Sequence, residues 1–110
     1  MNSKRPFSRT DEAGFRTRVP RAINGCTILE VAGFNSGGNG YYASAFALIE
    51  LPPDCYATHR IVCMDDQPDE KLRWVLETGT YFTTPGKATE NRERAEANFV
   101  KRAYGAVLAP

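Results

Sequence analysis

The stretch that decides the fold is Cys26-Thr-Ile-Leu-Glu-Val-Ala-Gly-Phe34, Asn35-Ser-Gly-Gly-Asn-Gly40, Tyr41-Tyr-Ala-Ser-Ala-Phe-Ala-Leu-Ile-Glu-Leu51. Its first part is rich in strand formers, and its middle supplies Gly and Asn, which tolerate positive φ. Together they read as two antiparallel strands joined by a hairpin loop. The returning segment, 41–51, is apolar on both alternating faces, the pattern of a strand covered on both sides or paired deep in a sheet. Pro52-Pro53 ends it.

Upstream of the hairpin, Asn24-Gly25 is a turn dipeptide that marks the start of structured sequence near Ile23. Downstream, Thr58–Met64 predicts a third strand, followed by the acidic turn Asp65-Asp66-Gln67-Pro68-Asp69-Glu70. Leu72–Thr78 alternates Leu72, Trp74 and Leu76 against Arg73, Val75 and Glu77, which predicts a fourth strand with the first set facing the core. Helix is the competing reading of that segment; its short length and the following Gly79 and Tyr81-Phe82 favour strand. Thr84-Pro85 then reads as a helix start with Pro at the first helical position. Ala88, Ala95, Phe99, Ala103 and Val107 recur at helical spacing, Val100, Tyr104 and Leu108 widen the stripe, and Glu90 and Arg94 stand one turn apart, placed to pair. The expected fold is α+β: a four-stranded antiparallel sheet in β-β-β-β-α order with one C-terminal amphipathic helix packed on it.

A chain of 110 residues, 42% hydrophobic and 25% charged, has enough apolar material for one core and too little for two ordinary domains. The net charge of +1 hides a division. Residues 1–21 carry Lys4, Arg5, Arg9, Arg16, Arg18 and Arg21 against Asp11 and Glu12, a balance of +4, which leaves −3 for the rest. Residues 1–21 therefore read as a basic flexible arm able to dock on the domain, and 22–110 as a single α+β domain. No stretch approaches the roughly 18 apolar residues of a membrane span. The positive start has no apolar run behind it, so no secretory signal is read. Three cysteines, Cys26, Cys55 and Cys63, cannot all pair within one chain, and thiols suit a cytoplasmic protein.

Chemical motifs are weak. Cys55, His59 and Cys63 have metal-ligating side chains at regular spacing, but a strand rising about 3.3 Å per residue spreads them over roughly 26 Å, beyond convergence on one ion. The glycine-rich run Gly33–Gly40 lacks the following helix and the Gly-Lys-Ser/Thr that a phosphate loop needs. His59 is the only histidine, and no serine lies in a nucleophile elbow. Neither a cofactor, a metal nor an enzymatic activity is expected.

Attention passes to surfaces. Asp65, Asp66, Asp69 and Glu70 make a negative edge suited to a basic partner, itself a nucleic-acid-binding protein in one version of this reading. Asn35, Asn39 and Tyr41 in the glycine-rich loop are contact candidates beside them. The leading expectation is a small non-enzymatic interaction protein that acts by surface complementarity with another protein, by analogy with accessory or inhibitor proteins of phages and mobile elements. A nucleic-acid-associated protein that makes phosphate contacts through Lys4, Arg5, Arg9, Arg16, Arg18 and Arg21 is the first alternative. The second is a small enzyme or ligand binder with scattered pocket residues. Homodimerisation through an unpaired edge strand is a further option.

Overall fold

The computed structural model describes residues 11–37 and 42–108, with side chains through Gly105. The elements run α1 (Glu12–Arg18), β1 (Ala22–Ile23), β2 (Cys26–Asn35), β3 (Ala43–Leu51), β4 (Cys55–Cys63), α2 (Glu70–Arg73), β5 (Trp74–Phe82) and α3 (Ala88–Leu108). The strands form one antiparallel sheet in the order β1-β2-β3-β4-β5. Among the described residues no helix is long and apolar enough to cross a membrane.

The two-sided apolar pattern of residues 43–51 finds its reason in what covers the sheet. β3 and β4 pair without interruption from Ala43↔Cys63 to Leu51↔Cys55. Strand alternation sends Ala43, Ala45, Ala47, Ile49, Ile61 and Cys63 to one face, where they form a core with Trp74, Ile23 and Phe15 of α1. Leu48 and Tyr56 point to the other face and pack with Ala95, Phe99 and Ala103 of α3. Phe15 is fully buried, 0% exposed. Its ring stands edge-on to Phe34 of β2 at 5.5 Å and to Trp74 of β5 at 5.0 Å. Contact with two strands that are not neighbours requires the sheet to curl, and α1 fills its concave side. The second half of the segment read as an arm is thus docked on the domain; residues 1–10 lie outside the described residues.

On the opposite face α3 approaches β2 closely. A Cβ on Gly33 would come within 2.7 Å of the Ala103 carbonyl oxygen, and Gly33 also holds φ at 73°, so both contact and conformation require glycine there.

Five local expectations are corrected. A fifth strand, β1, precedes the four that were expected, because Asn24 and Gly25 both adopt positive φ and fold Ala22–Ile23 back onto Cys26–Thr27. Leu72 does not face the core but is 58% exposed in α2. Its strand-like alternation is overridden by Asp69, whose carboxylate caps the turn at Lys71 N (3.0 Å), and by Arg73, whose guanidinium donates to Gln67 O at 3.1 and 2.8 Å. α3 begins at Ala88, not at Thr84-Pro85, because Gly86 turns to φ 71° and the Asn91 side chain holds Thr84 by both backbone groups (3.2 and 2.9 Å). Val100 and Tyr104 lie outside the apolar contact, 52% and 46% exposed, since α3 rests on the narrow row Asn91, Ala95, Phe99 and Ala103. Glu90 correspondingly pairs with Lys87 at 3.5 Å, while Arg94 lies over the Phe82 ring.

If Phe15 plugs the concave face, Phe15→Ala should lower the free energy of urea unfolding by about 3–5 kcal/mol. Val100→Ala should change it by less than about 0.5 kcal/mol.

Candidate functional site

An antiparallel meander places alternate connections at the same end of the sheet. The β2–β3 connection, flanked by Asn35 and Tyr42, therefore stands beside the acidic β4–α2 connection. The two are tied directly: Tyr42 Oη donates to Asp66 Oδ1 at 2.7 Å across 24 residues of chain. Asn35 Oδ1 turns inward on its own loop and accepts from Gly37 N at 2.9 Å.

The four acidic candidates divide by task. Asp66 holds Tyr42, and Asp69 is the N-cap of α2. Glu70 accepts from Arg73 Nη1 at 2.6 Å and from the Trp74 indole at 3.4 Å. Asp66, Asp69 and Glu70 nonetheless remain exposed, and Asp65 is half-buried beside them. Asn39 and Tyr41 lie outside the described residues, as do Lys4, Arg5 and Arg9. Of the remaining basic candidates, Arg16 is turned onto the domain, pairing with Glu12 at 3.3 Å and donating to Val31 O at 3.1 Å. Arg21 is exposed.

Next to this acidic connection lies an open cleft of about 400 Å³. Pro20, Ala22, Ile23 and Asn24 form one wall, Glu70 and Lys71 the other; Trp74 contributes apolar surface, and Arg18 reaches the rim. The curl of the sheet creates it, by carrying β1 toward the start of β5. Sequence spacing could not show this, because Ile23 and Trp74 meet only through the shared concave core.

Other side chains fall elsewhere. Cys55, His59 and Cys63 are strung along one face of β4, and no group of three metal-ligating residues forms among the described residues. Cys26, Cys55 and Cys63 form no disulfide. Arg102, which carried no signal in the sequence, sits under α3. It donates to Thr58 O and Thr58 Oγ1 at 3.1 Å and to Thr78 O at 2.9 Å, with its guanidinium 5.0 Å above the Phe46 ring. Burial, which disfavours the charged guanidinium, pulls its pKa below the ordinary arginine value.

No family model, curated protein or solved structure matches the chain. The site is accordingly read from its own chemistry.

The Tyr42 hydroxyl ionises above the ordinary phenol value, first because it donates to Asp66, then through burial and the neighbouring charges of Asp66 and Asp65. A phenol whose folded-state value is raised contributes stability below its unfolded value and loses it as pH rises through the folded one. The tie between the two loops is therefore present at neutral pH and released in alkali. In a spectrophotometric titration, Asp66→Asn should move the Tyr42 transition back toward the ordinary value and leave those of the other tyrosines in place.

Proposed function

We propose that this chain is a small non-enzymatic interaction protein that binds another protein by surface complementarity, using the cleft and the acidic connection beside it. The observation that carries the reading is the cleft itself. It joins apolar surface from Ile23 and Trp74 to a rim bearing Glu70, Lys71 and Arg18. An apolar floor within a charged rim suits an apolar anchor residue of a partner flanked by polar contacts. The carboxylates of Asp65, Asp66, Asp69 and Glu70 beside it favour a basic partner, whose basic surface the chain would occupy in the manner of an accessory or inhibitor protein. A phosphate backbone fits less well, since a groove that tracks one needs an uninterrupted positive lining, and Glu70 breaks it. Cysteines Cys26, Cys55 and Cys63 without disulfides accord with a cytoplasmic setting.

Two changes test the surface from different sides. Ala22→Trp fills the cleft from an exposed position, and Asp65→Asn with Asp66→Asn removes charge from the adjoining loop. In affinity capture from the native host, each should reduce retention of a specific protein about tenfold or more, with melting temperature within a few degrees of the parent. Retention indifferent to both changes would sink the proposal. Recovery of DNA or RNA, lost on removal of residues 1–10 or in high salt, would sustain the nucleic-acid alternative instead.

A further inference from the structure

At the opposite end of β5 from the cleft, His59 and Tyr81 form a pair that the binding reading does not use. His59 of β4 stands across from Gly79 of β5, two residues before Tyr81. Tyr81 Oη lies 2.6 Å from His59 Nε2, and the two rings meet edge-on at 5.2 Å and 87°. The other ring nitrogen, Nδ1, lies 3.0 Å from the Glu77 carbonyl oxygen. A carbonyl can only accept, so Nδ1 carries the proton and donates; Nε2 is then left as the acceptor of the Tyr81 hydroxyl.

Two backbone features build this arrangement. Thr78 is a bulge residue: Glu77 pairs with Arg60 and Gly79 with His59, leaving Thr78 unmatched at φ 26°. The bulge sets the Glu77 carbonyl against the imidazole, in keeping with the way bulges re-aim groups beside functional sites. Gly79 supplies the room, since a Cβ there would clash with the edge of the His59 ring at Cε1, Nε2 and Nδ1. The imidazole is thus fixed in position and tautomer, with its basic nitrogen on a phenol that is itself 53% exposed to solvent.

We propose that Tyr81 is a nucleophilic acceptor site, with His59 as its general base, for tetrahedral electrophiles of the sulfonyl or phosphoryl type. In the step, Tyr81 Oη forms a bond to the sulfur or phosphorus. The bond to the leaving group breaks, and that group departs with the electron pair. The phenolic proton passes to Nε2, and the resulting imidazolium keeps its Nδ1–H on the Glu77 carbonyl. No oxidant or metal is required. The chain is the acceptor of a single group transfer, so the proposal stands whether or not the cleft binds a protein.

Tyr104, 46% exposed, gives an internal control of nearly equal accessibility. With an aryl sulfonyl fluoride as probe and peptide mass spectrometry as readout, Tyr81 should be modified about tenfold or more faster than Tyr104 in the same sample. His59→Phe, which keeps an aromatic cover over Gly79 without a base, should bring the two rates together. A Tyr81 rate equal to that of Tyr104 in the parent protein, or one unchanged in a folded His59→Phe variant, overturns the proposal. Independently of any variant, the nitrogen-15 shifts of the imidazole should report the Nδ1–H tautomer. An Nε2–H tautomer overturns it as well.

Discussion

Phe15 touches two strands that the sheet itself keeps apart, and the rest of the architecture depends on that contact. Its ring meets Phe34 of β2 and Trp74 of β5. With two strands lying between those partners, the sheet has to curl around the ring to satisfy both. A flat sheet would leave the concave row Ala43, Ala45, Ala47, Ile49, Ile61 and Cys63 facing water, because α3 covers only the other side. The small side chains of that row are what allow a helix as short as α1 to serve as a lid. Alanines at 43, 45 and 47 let the Phe15 ring and β1 descend onto the strand, where larger residues would hold them off. The cleft beside Trp74 follows from the same curl.

Much of the sheet was legible because its signals are local. The hairpin from Cys26 to Leu51, the strand through Ile61 and the helix through Ala95, Phe99 and Ala103 each announce themselves by period and by flanking turn residues. α1 was not legible in that way. Phe15 is a lone large apolar group between polar neighbours, and what makes it structural is a cap at Asp11 and a pocket assembled from strands far along the chain. Leu72 misleads for the opposite reason: it continues the alternation of Trp74 and Leu76, yet the Asp69 cap and the Arg73 contacts to Gln67 O take precedence. The candidate site was legible as two separate loops. Their union rests on the Tyr42–Asp66 bond, and that of His59 with Tyr81 rests on register across β4 and β5. Pairings 24 and 22 residues apart leave no trace in spacing.

The bulge at Thr78 serves the edge of the sheet as well as the histidine. β5 closes the sheet on one side, and an unbroken edge strand would invite a further strand from another chain. At the middle of this edge the ladder is interrupted, and the Thr78 carbonyl is already taken by Arg102 from α3. Arg102 also holds Thr58 on β4, so one guanidinium fastens the helix to two strands while occupying a carbonyl of the edge. Edge-to-edge pairing of two copies is weakened at the position where it would need continuity.

Charge in this chain is spent largely on shape. The +4 of residues 1–21 against −3 elsewhere suggests two opposed surfaces, each waiting for a partner. Residue by residue, that picture narrows. Arg16 is committed to Glu12 and to the Val31 carbonyl, Asp69 to its helix cap, Glu70 to Arg73, and Asp66 to Tyr42. A partner that relied on these groups as free charges would have to compete with contacts already made at 2.6–3.3 Å. Specificity is then better sought where charge meets concave apolar surface, because burial there strengthens each polar contact that remains. Among the described residues the cleft bounded by Ile23, Lys71 and Trp74 meets that condition, and for that reason, more than for the carboxylates beside it, the cleft is the part of the surface on which the proposed interaction rests.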